Sequence, residues 1–274
     1  MTSPPPARNS KFPLRLDAVA KSPKAVRSVL RPQRLVAHAH ADAARRASTS
    51  AANLGMDSDD VRKRMAMRLR AIGVVHESVL AAMAAVPRHR FVDAALVTQA
   101  YEDTSLPIGH GQTISKPSVV ARMVELLFGG ANARRDGHLG RTLEVGTGCG
   151  YQAAVLASLA PHVISVERLK PLHDKARELL APMRPAHLRL VYGDGMYGHP
   201  PNAPYDSIIA AAGGDALPAA WLDQLAVGGR LVSPVCRAGS QEQVLVVVDR
   251  TEHGCEHAVY EAVKFVPLRS GLGA

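Results

Sequence analysis

"LEVGTGCGYQ", Leu143 to Gln152, is the stretch of sequence that decides the fold. Three glycines, Gly146, Gly148 and Gly150, follow a short apolar run and lead into a helical pattern. Such a turn brings backbone N–H groups close to a ligand, because glycine tolerates positive φ and has no Cβ in the way. The stretch therefore predicts a ligand-binding loop between a buried strand and a helix.

Two cofactor classes fit a loop of this kind. About 20 residues further on, Glu167 ends the next predicted strand, where a carboxylate can bind both hydroxyls of a ribose. A dinucleotide fingerprint, Gly-x-Gly-x-x-Gly, has its third glycine one residue later than this chain does. Glu144 also precedes the glycines here, and acidic-x-Gly-x-Gly-x-Gly resembles motif I of S-adenosylmethionine-dependent methyltransferases. A carboxylate suits a cofactor with a sulfonium and an amino group, and it would repel phosphates. A dinucleotide site and a structural glycine turn remain as alternatives.

The chain around the loop alternates short apolar runs with helical stretches. Strands are predicted at "RTLEVG", "HVISVE", "LRLVYG", "YDSIIAAA", "GRLVSPV", "EQVLVVVDR" and "AVYEAVKFVPL". Helices are predicted from Asp57 or Ser58 to Ile72, and over residues 77–86, 117–129, 151–159, 171–180 and 218–225, with an irregular segment after Phe91. This alternation predicts an α/β protein with a doubly wound, parallel, Rossmann-like sheet, N-terminal helices and antiparallel C-terminal strands.

The net charge of +9 is concentrated in residues 1–56, which hold ten Lys/Arg and two Asp/Glu. The remaining 218 residues hold 23 basic and 22 acidic side chains and are nearly neutral. We therefore predict a disordered basic Pro/Ala/Arg-rich extension over residues 1–56 and one methyltransferase domain over residues 57–274. The composition of the extension also fits a transit peptide or an arm that binds polyanions.

Cysteine usage and hydropathy exclude several classes of protein. No apolar run approaches the roughly 20 residues that a membrane-spanning helix requires. Cys149, Cys236 and Cys255 lie far apart, which argues against a disulfide framework and against a Cys-x-x-Cys metal site. We therefore expect no metal, no membrane span and a reducing cytoplasmic location.

Two further regions bear on the cofactor and the acceptor. Asp194 and Gly195, in "YGDGMYG", follow the third predicted strand at the edge where ligands bind, although Asp-Gly is also a common turn. After the fourth strand, "AAAGGDALP" lacks the Asn/Asp-Pro-Pro-aromatic motif of amino-directed methyltransferases. No cysteine has the setting of a cytosine-directed nucleophile. An oxygen acceptor is therefore favoured.

Several motifs together resemble one family. "PIGHGQTISKPSVVARMVELL", "LEVGTGCGYQAAVLA", "VISVER", "GDGMYG", "APYDSIIAAAGG" and "VKFVPL" are similar to the protein-L-isoaspartate (D-aspartate) O-methyltransferases, over about Arg64 to Leu268. The resemblance implies methyl transfer from S-adenosylmethionine to the free α-carboxylate of L-isoaspartyl and D-aspartyl residues, giving an ester that collapses to a succinimide. It implies damaged proteins as substrates, no nucleic acid unless through the basic extension, and a monomer.

The resemblance also implies roles for individual residues. Those assigned to the cofactor are Glu144, Gly146, Gly148 and Gly150 near the methionine part, Glu167 near the ribose, Asp194 and Gly195 near the adenine, and Thr147 and Arg168 with no part of the cofactor specified. Ile114 and Gln243 are assigned to the substrate and Ser115 to both substrate binding and catalysis. Residues 263–267 are expected to offer a strand edge to an extended peptide.

Ser115 invites a nucleophile interpretation, but the chemistry favours another role. The acceptor carboxylate has a pKa of about 4, so near pH 7 it is already the anionic nucleophile and needs no general base. A neutral hydroxyl can hold it without the excessive ground-state stabilisation of an Arg or Lys clamp. His110 is then a turn residue between glycines. Two alternatives remain open: a related methyltransferase acting on another oxygen acceptor or on nucleic acid, and a non-catalytic binding module.

Overall fold

A seven-stranded sheet lies at the centre of the computed structural model, which describes residues 59–183, 185–237, 239–240 and 242–273. Its strands, in spatial order, are β5 (Leu188–Tyr192), β4 (His162–Glu167), β3 (Arg141–Val145), β6 (Tyr205–Ala210), β7 (Leu225–Cys236), β8 (Gln243–Thr251) and β9 (Gly254–Val263). The first five run parallel, whereas β8 pairs antiparallel with both β7 and β9. The predicted fold class, including its antiparallel C-terminal strands, is confirmed.

Helices precede the sheet and alternate with its parallel strands. They are α1 (Asp59–Ala71), α2 (Glu77–Ala85), α3 (Pro117–Phe128), α4 (Ala131–Asp136), α5 (Tyr151–Ala157), α6 (Lys170–Leu180) and α7 (Ala219–Asp223). Pro117 occupies the first turn of α3, as expected from a ring that fixes φ and lacks an N–H. The sequence missed α4, a six-residue helix after the Gly129–Gly130 pair.

The apolar core is divided between the two faces of the sheet. Ile208 on β6 belongs to a cluster with Trp221 of α7, whereas Ile209 belongs to a cluster with Val124 of α3 and Leu156 of α5. Successive strand side chains point to opposite faces, so each cluster covers one face. Burial on both faces explains why the strands are continuous apolar runs in the sequence.

The segment after Phe91 is not irregular throughout, contrary to the prediction. Two short strands, β1 (Leu106–Gly109) and β2 (Gln112–Ile114), form an antiparallel hairpin separate from the main sheet. Gly109, His110 and Gly111 make its turn with φ of 95°, 53° and 68°. Two glycines allow this left-handed backbone, and His110 is the described non-glycine residue with positive φ.

The last strand also differs from the prediction, because β9 begins at Gly254 and ends at Val263 instead of reaching Leu268. The Gln243 side chain accepts a hydrogen bond from the Phe265 N–H at 2.6 Å, in place of a strand partner. Beyond that point the Val266 carbonyl and the Leu268 N–H pair with the backbone of Gly213, at 2.9 and 2.7 Å. These contacts draw the chain away from β8 toward the edge at which β6 ends.

The predicted basic extension, residues 1–56, and the helix cap at Asp57 or Ser58 lie outside the described residues. The boundary between extension and domain therefore stays a prediction. Among the described residues, no helix combines the length and apolarity that a membrane crossing demands.

Candidate functional site

A cavity of about 390 Å³ opens at the edge where the parallel strands end. This is the edge at which open α/β sheets bind ligands, and the volume lies within the usual range for small-molecule sites. Four segments supply most of its walls: the glycine loop after β3, the end of β4, the β1–β2 hairpin, and residues 266–269. Of the predicted site residues, Ile114, Ser115, Gly146, Thr147, Gly148, Glu167, Arg168 and Gly195 line it.

The glycine loop forms one wall through its backbone. Gly146, Gly148 and Gly150 have φ of 93°, 55° and 91°, a region that residues with a Cβ seldom adopt. Gly146 and Gly148 line the cavity, whereas Gly150 lies at the start of α5, where a Cβ would come within 2.8 Å of Leu180. The absence of a side chain at Gly150 thus lets α5 pack against α6. Gly150 does not line the cavity, so the structure does not place it at the predicted cofactor contact.

Glu167 anchors the loop and faces the cavity. One carboxylate oxygen accepts a hydrogen bond from the Gly148 N–H at 2.9 Å, and the other accepts from the Leu169 N–H at 2.9 Å. The side chain is 5% exposed, and it lines the cavity. Each carboxylate oxygen has a second lone pair, so the group can still accept from two hydroxyls of a ligand.

Glu144 lies beneath the glycine loop and does not line the cavity, so the structure does not place it at the predicted contact with the cofactor. The carboxyl is fully buried, and it accepts a hydrogen bond from the Ser165 hydroxyl, which lies 2.6 Å from the Thr147 hydroxyl. Its second oxygen, Oε1, has no hydrogen-bond partner within the described residues. Burial raises the pKa of Glu144 to about 8, an effect that the Ser165 hydrogen bond partly offsets.

Replacing Glu144 by Gln should therefore change how stability depends on pH. Between the ordinary pKa of about 4.5 and the folded value of about 8, the unfolded state loses this proton while the folded state keeps it. Folding stability then falls as pH rises, by at most about 1.4 kcal/mol per pH unit from this group. We expect the melting temperature of Glu144→Gln, relative to the unmodified protein, to increase from pH 5 to pH 8 in differential scanning fluorimetry.

The exposed Glu178 supplies the matched control for that measurement. Glu178→Gln makes the same chemical change on the surface of α6, where no buried carboxyl is neutralised. Its melting temperature relative to the unmodified protein should be the same at both pH values. If the melting temperature of Glu144→Gln relative to the unmodified protein is the same at both pH values, then Glu144 is not a buried, protonated carboxyl in the folded state.

The hairpin and the residues after it form the opposite wall. Ser115 follows β2, is half-buried, and lines the cavity; within the described part of the chain its hydroxyl makes no hydrogen bond. Ile114 beside it is buried, and Tyr151 contributes another buried wall. His110 is exposed at the turn of the hairpin, which agrees with its interpretation as a turn residue. The serine hydroxyl therefore faces a partly apolar space opposite the glycine loop.

Asp194 is tied to a segment that the sequence did not associate with the site. Its Oδ1 caps the turn by accepting from the Met196 N–H, and its Oδ2 accepts from the Gly271 N–H. Arg168 donates from Nε to the Gly271 carbonyl at 2.7 Å. Asp194 does not line the cavity, although Gly195 does. The backbone of Gly271 thus already occupies one Asp194 oxygen, and the adenine contact of Asp194 stays a prediction.

Gln243 is outside the main cavity. It lines a neighbouring depression together with Phe265, and a Cβ on Gly213 would lie 2.6 Å from its Nε2. Its observed contact is the hydrogen bond to the Phe265 N–H, so it fixes residues 264–268 and shows no position facing a substrate. The expectation that residues 263–267 offer a free strand edge is also wrong in part, because Val266 already pairs with Gly213.

The predicted site omitted several wall residues. They are Ile108 and residues 110–113 in the hairpin, Val120 in α3, Val145, Cys149, Tyr151 and Gln152 around the glycine loop, Val166 and Leu169 beside Glu167, Leu172 in α6, Ala211 and Ala212 after β6, and residues 266–269. The alanines could have been found, because "AAAGG" follows a buried strand at the ligand-binding edge. Residues 266–269 had no such signal, since their place depends on pairing with Gly213.

The donor set of the cavity fits the cofactor that the sequence predicts. The backbone of the glycine loop and the carboxylate of Glu167 lie at one end, and the described residues contain no group of three or more His, Cys, Asp or Glu placed to hold a metal. The carboxylate that lines this end, that of Glu167, suits hydroxyl groups and positive charge and would repel phosphates. S-adenosylmethionine carries a sulfonium and an ammonium group, whereas a dinucleotide brings phosphates.

Comparisons with known proteins agree with one family. The family model described as Protein-L-isoaspartate(D-aspartate) O-methyltransferase (PCMT) matches residues 60–273. The chain is 60% identical over 263 residues to a protein-L-isoaspartate O-methyltransferase of Methylibium petroleiphilum, covering 95% of this chain and 96% of the relative. It is 58% identical over 285 residues to that of Leptothrix cholodnii, covering 99% and 98%.

A solved structure supports the fold. It comes from Plasmodium falciparum, is described as a protein-L-isoaspartate O-methyltransferase, and contains S-adenosyl-L-homocysteine. Its TM-score is 0.65 at 24% identity, covering 76% of this chain and 98% of that one.

Proposed function

The chain belongs to the protein-L-isoaspartate(D-aspartate) O-methyltransferase family, and from this premise we propose how its residues carry out the reaction. The enzyme transfers the methyl group of S-adenosylmethionine to the free α-carboxylate of isoaspartyl residues in damaged proteins. The resulting ester collapses to a succinimide, which reopens partly to normal aspartate. One observation carries the residue assignment: the glycine loop with Glu167 and the Ser115 wall line the same cavity.

S-adenosylmethionine supplies an electrophilic methyl group on a sulfonium centre. For this chain, we assign the backbone of Gly146 and Gly148 to the methionine part and the Glu167 carboxylate to the ribose hydroxyls. Glu167 is pre-positioned for this role, since two backbone N–H groups already hold both of its oxygens. Glu144 acts from beneath the loop, through Ser165 and Thr147.

Ser115 is the residue that we assign to the acceptor. The acceptor carboxylate is ionised near pH 7, so the site has to orient and partly desolvate it, and no proton needs to be removed. The Ser115 hydroxyl can donate one hydrogen bond to it, and the buried Ile114 and Tyr151 limit its contact with water. A single neutral donor holds the anion while leaving its second oxygen free to react.

Paired peptides test this function directly. The full chain is incubated with S-adenosylmethionine labelled on the methyl group and with two peptides that differ only in carrying isoaspartate or aspartate. We expect base-labile label on the isoaspartyl peptide alone, because only its α-carboxylate hangs free of the backbone. Equal labelling of both peptides, or none, would contradict the proposal; label on RNA supplied in place of the peptides would favour a nucleic-acid acceptor.

The proposal also includes a monomeric, cytoplasmic enzyme with a domain over residues 57–274. The near-neutral charge of that region gives it no electrostatic reason to bind nucleic acid, whereas the +8 of residues 1–56 does provide one. Light scattering of the full chain, alone and with RNA at low and high salt, should give a monomer mass without RNA. Any complex with RNA should dissociate as salt increases and should be lost when residues 1–56 are deleted.

A further inference from the structure

Arg88 is a buried arginine that none of the roles above uses. It lies in "VPRHRF", directly after α2, and its side chain is 0% exposed. The described residues provide it with no ion pair to a carboxylate, and its guanidinium lies 4.7 Å from the centre of the Tyr151 ring. An arginine stays protonated in proteins, so Arg88 is a buried positive charge, which backbone carbonyl dipoles and the face of the Tyr151 ring stabilise.

The hydrogen bonds of Arg88 connect the wall that carries Ser115 with the segment that precedes the hairpin. Its Nε donates to the Ala100 carbonyl at 2.8 Å, and its Nη2 donates to the Ser115 carbonyl at 2.7 Å. Tyr151, under the guanidinium, is the first residue of α5 and follows Gly150 of the glycine loop. One rigid, planar group therefore connects the peptide unit of Ser115 to the helix that begins at the cofactor loop.

Ser115 has little other support of this kind. It lies between the end of β2 at Ile114 and the start of α3 at Pro117, so it belongs to no strand or helix. The hydrogen bond from Arg88 fixes the plane of its peptide group, and the plane fixes the direction in which the side chain leaves the backbone. A misplacement of about 1 Å can cost about 100-fold in rate, so this orientation matters for methyl transfer.

We infer that Arg88 is a positioning residue, which orients Ser115 toward the acceptor carboxylate and places a buried positive charge beneath it. This inference rests on the proposed role of Ser115. The charge contributes to the same end, because it lies behind the wall that the anionic acceptor approaches and forms no ion pair with a described carboxylate. The Nη1 atom has no hydrogen-bond partner in the described residues, and the guanidinium lies over the Tyr151 ring.

Arg88→Lys is the variant that tests the inference, because it keeps the charge and loses the planar fork that connects Ala100 with Ser115. We expect kcat on an isoaspartyl peptide to fall about 10-fold, while the Kd for S-adenosylmethionine changes less than about 2-fold. Arg88→Gln removes the charge as well, and we expect it to lower kcat further. Wild-type kcat in Arg88→Lys, or equal losses of kcat and cofactor affinity, would overturn the inference.

Arg68→Lys is the matched control. Arg68 also donates to a backbone carbonyl of the same segment, that of Tyr101 at 2.7 Å, but its described contacts do not include Ser115. It should keep wild-type kcat even if its melting temperature falls as much as that of Arg88→Lys. A similar kcat loss in both variants would mean that general loosening of the segment, and not the orientation of Ser115, explains the effect.

A double-mutant cycle with Ser115→Ala separates the two proposals. If Arg88 acts through Ser115, Arg88→Lys should cost less than about 2-fold in kcat once the hydroxyl is gone. Additive losses would overturn the role of Arg88 and leave that of Ser115 intact. Wild-type turnover of Ser115→Ala alone would instead refute the role of Ser115, and the inference about Arg88 with it.

Discussion

Ser115→Ala should lower kcat on an isoaspartyl peptide about 100-fold and leave the Kd for S-adenosylmethionine within about 2-fold. The variant removes the one side-chain hydroxyl that we assign to the acceptor, on the wall opposite the glycine loop. The backbone and the carboxylates that we assign to the cofactor are unchanged. Initial rates at saturating cofactor, together with calorimetric titration of S-adenosyl-L-homocysteine, separate the two effects.

Ser118→Ala provides the control for this experiment. Ser118 is only three positions away, but its hydroxyl donates to Asp103 at 2.8 Å and it does not line the cavity. Its kcat should equal that of the unmodified enzyme. Weakened cofactor binding in Ser115→Ala, combined with normal turnover at saturation, would show that the serine belongs to the cofactor site and does not hold the acceptor.

Glu167→Ala should have a large effect on binding, with the Kd for S-adenosylmethionine rising at least about 100-fold. Two losses combine: the ribose hydroxyls lose their acceptor, and the N–H groups of Gly148 and Leu169 lose theirs. Both N–H groups are only partly buried, so water can replace part of the lost hydrogen bonding, but the loop itself should still loosen. Calorimetric titration of S-adenosyl-L-homocysteine measures the change.

Glu167→Gln distinguishes the two losses. The amide keeps one acceptor oxygen and nearly the same volume, so one of the two backbone contacts survives. We expect a smaller increase of the Kd, about 10-fold, from a neutral acceptor in place of a charged one. If the Kd of Glu167→Ala stays within about 2-fold of the unmodified enzyme, the cofactor does not use this carboxylate and the ribose assignment fails.

The strands of the sheet were predictable because a strand buried on both faces needs apolar residues at nearly every position. β3, β4 and β6 are covered on both faces, so each is a continuous apolar run, and the glycines after β3 mark the edge where ligands bind. The β1–β2 hairpin left no such signal. It is only a few residues long on each side and contains Pro107 and Gly109, so neither an apolar run nor a clear alternation exists.

The missed parts of the site depend on distant residues or on backbone atoms. β9 ends where it does because the Gln243 side chain and the Gly213 backbone take over its hydrogen bonds, and the sequence near Val263 contains neither. The sequence does not distinguish Arg88 from an exposed arginine, because its hydrogen-bond acceptors are backbone carbonyls, which any residue could supply. The sequence predicts Glu144 as a cofactor contact, and this role stays a prediction; its depth below the cavity follows from the packing of β3 between β4 and β6.

The wall formed by residues 266–269 also has a consequence for synthesis on the ribosome. The glycine loop and Glu167 emerge early, whereas Val266, which pairs with Gly213 and lines the cavity, is made only after Gly213, β8 and β9. Pairing between segments far apart in the chain is a late and slow step of folding. A nascent chain stalled before Gly254 should therefore have the loop without a closed cavity, and full affinity for the methyl donor should appear only once residues 266–273 have left the exit tunnel.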